Sequence, residues 1–261
     1  MQSGTMIVTA ARLGFAARGL MYGAIGYLAL RLGKASDQGE ALSWIAGTGG
    51  KLALAVMAIG FLGYGAWRLL DAAFDGERAG TSPKGIAKRL GGGVSGLIHL
   101  GFAVVATKLV FDMPHGGQSG AEQGASMALS FPGGGGVLMV FAGLLLIVGA
   151  YQFVKAVKLG FLVHLDPRVA SQRWIAWLGR IGYLARGVVF VLTALFTWRA
   201  GDQHRSAAAG GTAEAIDYLP DELRIAVAAG FVMFGIFSLV EARFRRLNDP
   251  DVEGRIRDAV R

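Results

Sequence analysis

The sequence predicts an all-α, polytopic membrane protein whose six transmembrane helices form three tandem helical hairpins with pseudo-threefold symmetry. Three observations lead there. Hydrophobic residues fill 53% of 261 positions and charged residues only 17%, far from the balance of a soluble domain. Six apolar windows are each long enough to cross a hydrocarbon core of about 30 Å, which takes roughly 20 residues at about 1.5 Å each. Finally, "ARLGFAARGLMYGAIGYLALRLG" at 11–33 returns from Gly179 as "GRIGYLARGVVFVLTALFTWRA" and, weakened, from Lys88 as "KRLGGGVSGLIHLGFAVVATKLV".

Repeat 1 spans 11–75 and contains the windows 14–32 and 52–70. Repeat 2 spans 88–160 with windows 93–111 and 135–154, and repeat 3 spans 178–245 with windows 181–198 and 223–240. A charged cytoplasmic tail, 246–261, follows. Each first helix opens on one landmark: Arg12-Leu-Gly-Phe-Ala-Ala-Arg18-Gly19, Arg89-Leu-Gly-Gly-Gly-Val-Ser95-Gly96 or Arg180-Ile-Gly-Tyr-Leu-Ala-Arg186-Gly187. An outer segment ends in an aromatic: Ala41-Leu-Ser-Trp44, Ala128-Leu-Ser-Phe131, Ala215-Ile-Asp-Tyr218. Each second helix closes on Gly65-Ala-Trp67-Arg-Leu-Leu-Asp71-Ala72, Gly149-Ala-Tyr151-Gln-Phe-Val-Lys155-Ala156 or Gly235-Ile-Phe237-Ser-Leu-Val-Glu241-Ala242. Two crossings per copy give every unit the same orientation, so the repeat is parallel, not inverted.

Taken together, these motifs resemble the domain of unknown function 1206 family of bacterial membrane proteins over about residues 11 to 245. The middle copy departs from the pattern with Ser95 and Lys155. The resemblance implies a fold and a bacterial inner-membrane location, and no activity.

Charge sets the predicted topology. Of the 26 Lys and Arg residues, 19 fall on the side of the two termini and 7 on the other, which places both termini in the cytoplasm. The first helix belongs to the repeat and reads as a retained span, not a cleaved signal peptide. The net charge of +8 is spread over helix ends and forms no nucleic-acid module, so the expected partners are membrane lipids, with anionic headgroups at the cytoplasmic face, and a membrane protein. Without cysteine there are no disulfides, iron–sulfur clusters or thiolate metal sites.

Arg18 stands four residues inside the first window, about 6 Å deep, where a long side chain can snorkel to the headgroups. The repeats suggest a second reading. Arg18 and Arg186 occur in units whose second helix ends in an acid, Asp71 or Glu241; where the arginine becomes Ser95, the acid becomes Lys155. Ion pairs Arg18–Asp71 and Arg186–Glu241 within each hairpin would then fix helix register. Gly19-x-x-x-Gly23 and Gly92-x-x-x-Gly96, facing Gly60, Gly63 and Gly65, would let helix backbones approach closely.

Candidate chemistry is sparse. His99 marks an intramembrane polar site; His115 and His204 fall in outer loops and His164 in an inner one, so no second histidine at its depth suggests haem, although Met21 could serve as a ligand. "PGGGGV" at Pro132 lacks the lysine and strand of a phosphate cradle and reads as a loop at a helix start. No Ser–His–Asp set, paired intramembrane carboxylates or zinc motif appears. The expectation is therefore a non-enzymatic, cofactor-free structural, accessory or lipid-interacting protein. Two alternatives remain: a small permease or channel between the hairpins, lined by groups such as Ser95, Thr107 and Thr193, or a haem or quinone redox subunit.

Overall fold

A computed structural model describes residues 2–33, 35–75, 79–113 and 119–246, without the side chains of 2–8, 10, 32, 49, 84 and 87. Six long helices carry the six apolar windows: α1 (Gln2–Leu32), α2 (Gln38–Phe74), α3 (Pro83–Val110), α5 (Gly134–Lys158), α7 (Arg173–Asp202) and α9 (Asp221–Phe244). All six are long and apolar enough to cross a membrane, and the chain is a multi-pass membrane protein. Short helices α4 (Gly120–Leu129), α6 (Pro167–Ala170) and α8 (Thr212–Asp217) lie in the connections. Among the described residues there is no sheet, only an isolated antiparallel bridge between Leu165 and Arg245. The charged tail, beyond Arg246, lies outside the described residues, as does His115.

The three outer segments are helical for a shared reason. Each starts with a cap followed three residues later by glutamate: Asp37 and Glu40, Ser119 and Glu122, Gly211 and Glu214. The Asp37 carboxylate accepts from the Glu40 N–H at 2.8 Å, and the Ser119 hydroxyl from Glu122 at 3.2 Å. Gly211 has no side chain to offer, yet its N–H donates to the Glu214 carboxylate at 2.7 Å. Each contact satisfies a donor that a helix start would otherwise leave orphaned.

In unit 1 the outer segment runs on into the membrane helix through Gly50, whose φ of 77° and ψ of 165° break α2. That region of backbone space is open essentially only to glycine. A Cβ there meets nothing within 4 Å, so Gly50→Ala carries backbone strain alone. We expect a loss of about 1–3 kcal/mol, read from the unfolding midpoint in lipid nanodiscs.

Packing follows a definite order. α1 lies between α2 and α9; α2 also packs on α3, and α7 packs on both α9 and α5. Three glycine crossings join one unit to the next. A Cβ added at Gly96 would sit 2.9 Å from the Gly65 carbonyl oxygen, and one at Gly19 would sit 2.9 Å from that of Gly235. One at Gly149 would sit 3.3 Å from the carbonyl oxygen of Gly187. The second helix of each unit thus meets the first helix of the following unit, and the third unit returns to the first. Within units the pattern is uneven: α1 and α2 pack together, as do α7 and α9, while α3 and α5 of the second unit do not pair as closely. The expectation of three equivalent hairpins therefore meets a difference at the second unit.

The surface reverses that of a soluble protein. Leu52, Ile59 and Leu62 on α2, Leu97 and Val104 on α3, and Val137, Val140 and Ile147 on α5 are all exposed, as a lipid-facing shell requires. Inside, Met21, Ile25, Leu54, Met57, Phe61 and Phe231 are almost fully buried in one cluster.

Candidate functional site: a polar belt inside the bundle

First helices begin, and second helices end, at one face of the bundle, so their landmark residues return to the same level. Unit 1 brings Arg18, Tyr22, Arg68 and Asp71; unit 2 brings Ser95, His99, Gln152 and Lys155; unit 3 brings Arg186, Phe190, Ser238 and Glu241. Every one of these side chains is buried or half-buried, although their helices are otherwise apolar. Buried charges at this depth are expensive and need partners.

The ion pairs differ from those expected. Arg18 does not meet Asp71 of its own hairpin but Glu241 of unit 3, and its Nε donates to the Ser238 hydroxyl at 3.2 Å. Glu241 also accepts from Arg245 at 2.6 Å, and Asp71 is engaged from its own helix by Arg68 at 3.3 Å. The cause is the glycine crossing. Gly19 and Gly235 bring the α1 and α9 backbones together one residue after Arg18, so the guanidinium reaches across the unit boundary. Snorkelling fails too as an account of Arg18, whose side chain is 10% exposed and lies over the rings of Phe15 at 4.8 Å and Phe234 at 5.2 Å.

Arg186 does not meet Glu241 either. By the same unit-to-unit rule it faces the second helix of unit 2, where the position of the acid is held by Lys155. Arg186 lies over Phe234 at 4.4 Å and Tyr22 at 5.1 Å; Lys155 lies over Tyr151 at 4.8 Å and Tyr183 at 5.4 Å. Neither cation makes a hydrogen bond or salt bridge among the described residues, and buried Arg186 Nε, Gln152 Oε1 and His99 Nε2 lack partners there.

His99 is packed by Tyr64, with ring centroids 4.5 Å apart, and by Phe61 and Phe102. Its Nδ1 is 2.7 Å from the Ser95 carbonyl oxygen; since a carbonyl only accepts, Nδ1 carries the hydrogen and Nε2 is the free position. Of the groups expected to line a pathway, Ser95 reaches the belt, Thr107 is exposed on α3, and Thr193 donates to Gly211 at 3.4 Å near the opposite face. "PGGGGV" forms the start of α5, where Gly135 packs against the Gly201 backbone.

Sequence reasoning missed Arg68, Gln152 and Ser238, and read Arg245 as a cation beside the membrane, not as a partner of Glu241. The first three occupy one column of the third landmark, three residues before Asp71, Lys155 and Glu241, and that i, i+3 spacing on one helix face was the available signal. Other arginines prove structural. Arg89 donates to the Ala72 and Ala73 carbonyl oxygens at 2.9 Å, and Arg180 to that of Ala156 at 3.3 Å. Each caps the helix end of the preceding unit, where orphaned carbonyls collect negative charge.

Comparison with known proteins agrees with this architecture. The chain is 25% identical over 249 residues to the uncharacterized protein YxxB of Bacillus subtilis (strain 168), covering 90% of each chain. No solved structure matches. Residues 13–75 and 181–245, the first and third units, match the family described as Domain of Unknown Function (DUF1206). Through these two hairpin units the chain belongs to the DUF1206 family of unknown activity.

Proposed function

We propose that the protein is a non-enzymatic inner-membrane component that engages anionic lipid headgroups at its terminus-bearing, cytoplasmic face. The observation that carries this reading is the concentration of exposed cations there. Arg12, Lys88, Lys158, Arg168, Arg173 and Arg243 are all exposed at helix ends on that face. Each such residue near a negatively charged leaflet contributes about 1 kcal/mol. Trp174 and Trp177, half exposed beside them, suit the same interface.

The polar belt gives some support to a pathway, since it brings polar groups into the bundle that the hydropathy profile does not suggest. Against transport stands the buried apolar cluster that includes Met57, Phe61, Met21 and Phe231, which offers an ion no partner. A binding function fits both halves of the core better than a conduit.

The test is reconstitution into nanodiscs of phosphatidylcholine alone or with phosphatidylglycerol, followed by analysis of retained lipid. Enrichment of the anionic lipid around the protein is expected, weakened by salt. Equal retention of both lipids would overturn the reading, and reporter fusions at the two ends check the orientation it assumes.

A further inference from the structure

The cyclic packing of the units makes two belt positions comparable. Where unit 3 meets unit 1, Arg18 Nε finds Ser238, and its terminal nitrogen finds Glu241. Where unit 2 meets unit 3, the corresponding residues are Arg186, Gln152 and Lys155. Here Arg186 Nε and Gln152 Oε1 are both buried without partners, and the place of the glutamate is taken by a second cation. Lys155 lies within electrostatic reach of Arg186, Arg68 and Arg18, with Glu241 as the acid on that side. Arg18, Arg186 and Arg68 are also within electrostatic reach of His99.

Two cations held in one low-dielectric interior repel each other, and the acid within reach, Glu241, is already engaged by Arg18 and Arg245. We infer that Lys155 and Arg186, with Gln152 and His99 alongside, form a binding site for one phosphate group. The polar atoms left open are of both kinds. Arg186 Nε–H and the Lys155 ammonium donate, whereas Gln152 Oε1 and, in the neutral ring, His99 Nε2 accept. Gln152 is 6% exposed and His99 8%, so each is more than nine-tenths buried, too deep for bulk water to satisfy. A singly protonated phosphate or phosphomonoester has anionic oxygens for the donors and a hydroxyl for an acceptor. A phosphodiester or an ionised carboxylate has no such hydroxyl.

α3 and α5, which supply His99, Gln152 and Lys155, do not pack closely on each other, and both helices expose apolar faces to lipid. That seam gives an acyl-chained phosphomonoester a route from the bilayer. Free inorganic phosphate would instead arrive from the aqueous face. The inference deepens the lipid reading above by naming a headgroup class and an internal site.

The experiment uses the full chain in phosphatidylcholine nanodiscs with phosphatidic acid, phosphatidylglycerol or inorganic phosphate as the probe, read by native mass spectrometry and by the unfolding midpoint. One tightly held phosphatidic acid or phosphate is expected, with affinity at least tenfold weaker in Lys155→Gln and in Arg186→Gln and unchanged in Lys108→Gln, at an exposed position on the opposite face. Lys155→Glu should recreate the ion pair of the Arg18 boundary, abolishing phosphate binding while raising the unfolding midpoint. If that variant does not fold, the two glutamine variants decide.

Anionic-lipid enrichment that none of these variants alters would overturn the internal site and leave surface binding standing. Phosphate binding lost in the variants, without any lipid preference, would uphold the site and overturn the lipid reading. Binding of neither probe would overturn both.

Discussion

Glu241→Ala should be among the most damaging single substitutions in the chain, lowering stability by about 3–5 kcal/mol. Glu241 is 1% exposed and receives both Arg18 and Arg245, whose side chains are only 10% and 14% exposed. Removing the carboxylate leaves two guanidinium groups over one ring, Phe15, without the acid they share. The double variant Arg18→Met with Glu241→Leu should recover much of the loss, because it also removes a stranded charge and fills the space with apolar atoms. Unfolding midpoints of the two single variants and the double variant in nanodiscs form the cycle. Strictly additive losses would mean that the pair is decorative.

Gly19→Val should be comparably severe through a steric route. The added Cβ would approach the Gly235 carbonyl oxygen and Leu239 at 2.9 Å, and backbone cannot rotate away as a side chain can. Overpacking of this kind costs about 1–3 kcal/mol, and separating α1 from α9 also pulls Arg18 away from Glu241. Gly23→Ala is the matched control: its Cβ meets nothing within 4 Å, so a change within about 0.5 kcal/mol is expected. A Gly19→Val protein with an unchanged midpoint would show that α1 and α9 do not need this close approach.

This contrast also shows how far a motif can be read. Gly19-x-x-x-Gly23 is visible as a small-residue pair, yet only Gly19 is confined from its own side. Which face of a helix meets a neighbour depends on the rotation of both helices, and spacing within one helix does not encode it. His99 shows the opposite case. Its isolation in an apolar span is legible in the sequence, whereas its packing against Phe61 and Tyr64 of α2 depends on which helices become neighbours.

Six crossings, their parallel repeat and the residues that vary between units are determined by the sequence alone, because hydropathy and repetition are local properties that survive any packing. The identity of the charge partners is not local. Within one hairpin, Arg18 with Asp71 and Arg186 with Glu241 form the natural pairing by order along the chain. Only the tertiary structure, by drawing each second helix onto the next unit through glycine crossings, decides that Arg18 meets Glu241 and that the helix of Arg186 packs on the helix of Lys155. The physical reason is reach: a side chain bonds whatever lies within a few ångströms, and in a bundle that distance is set by backbone contact between helices far apart in sequence.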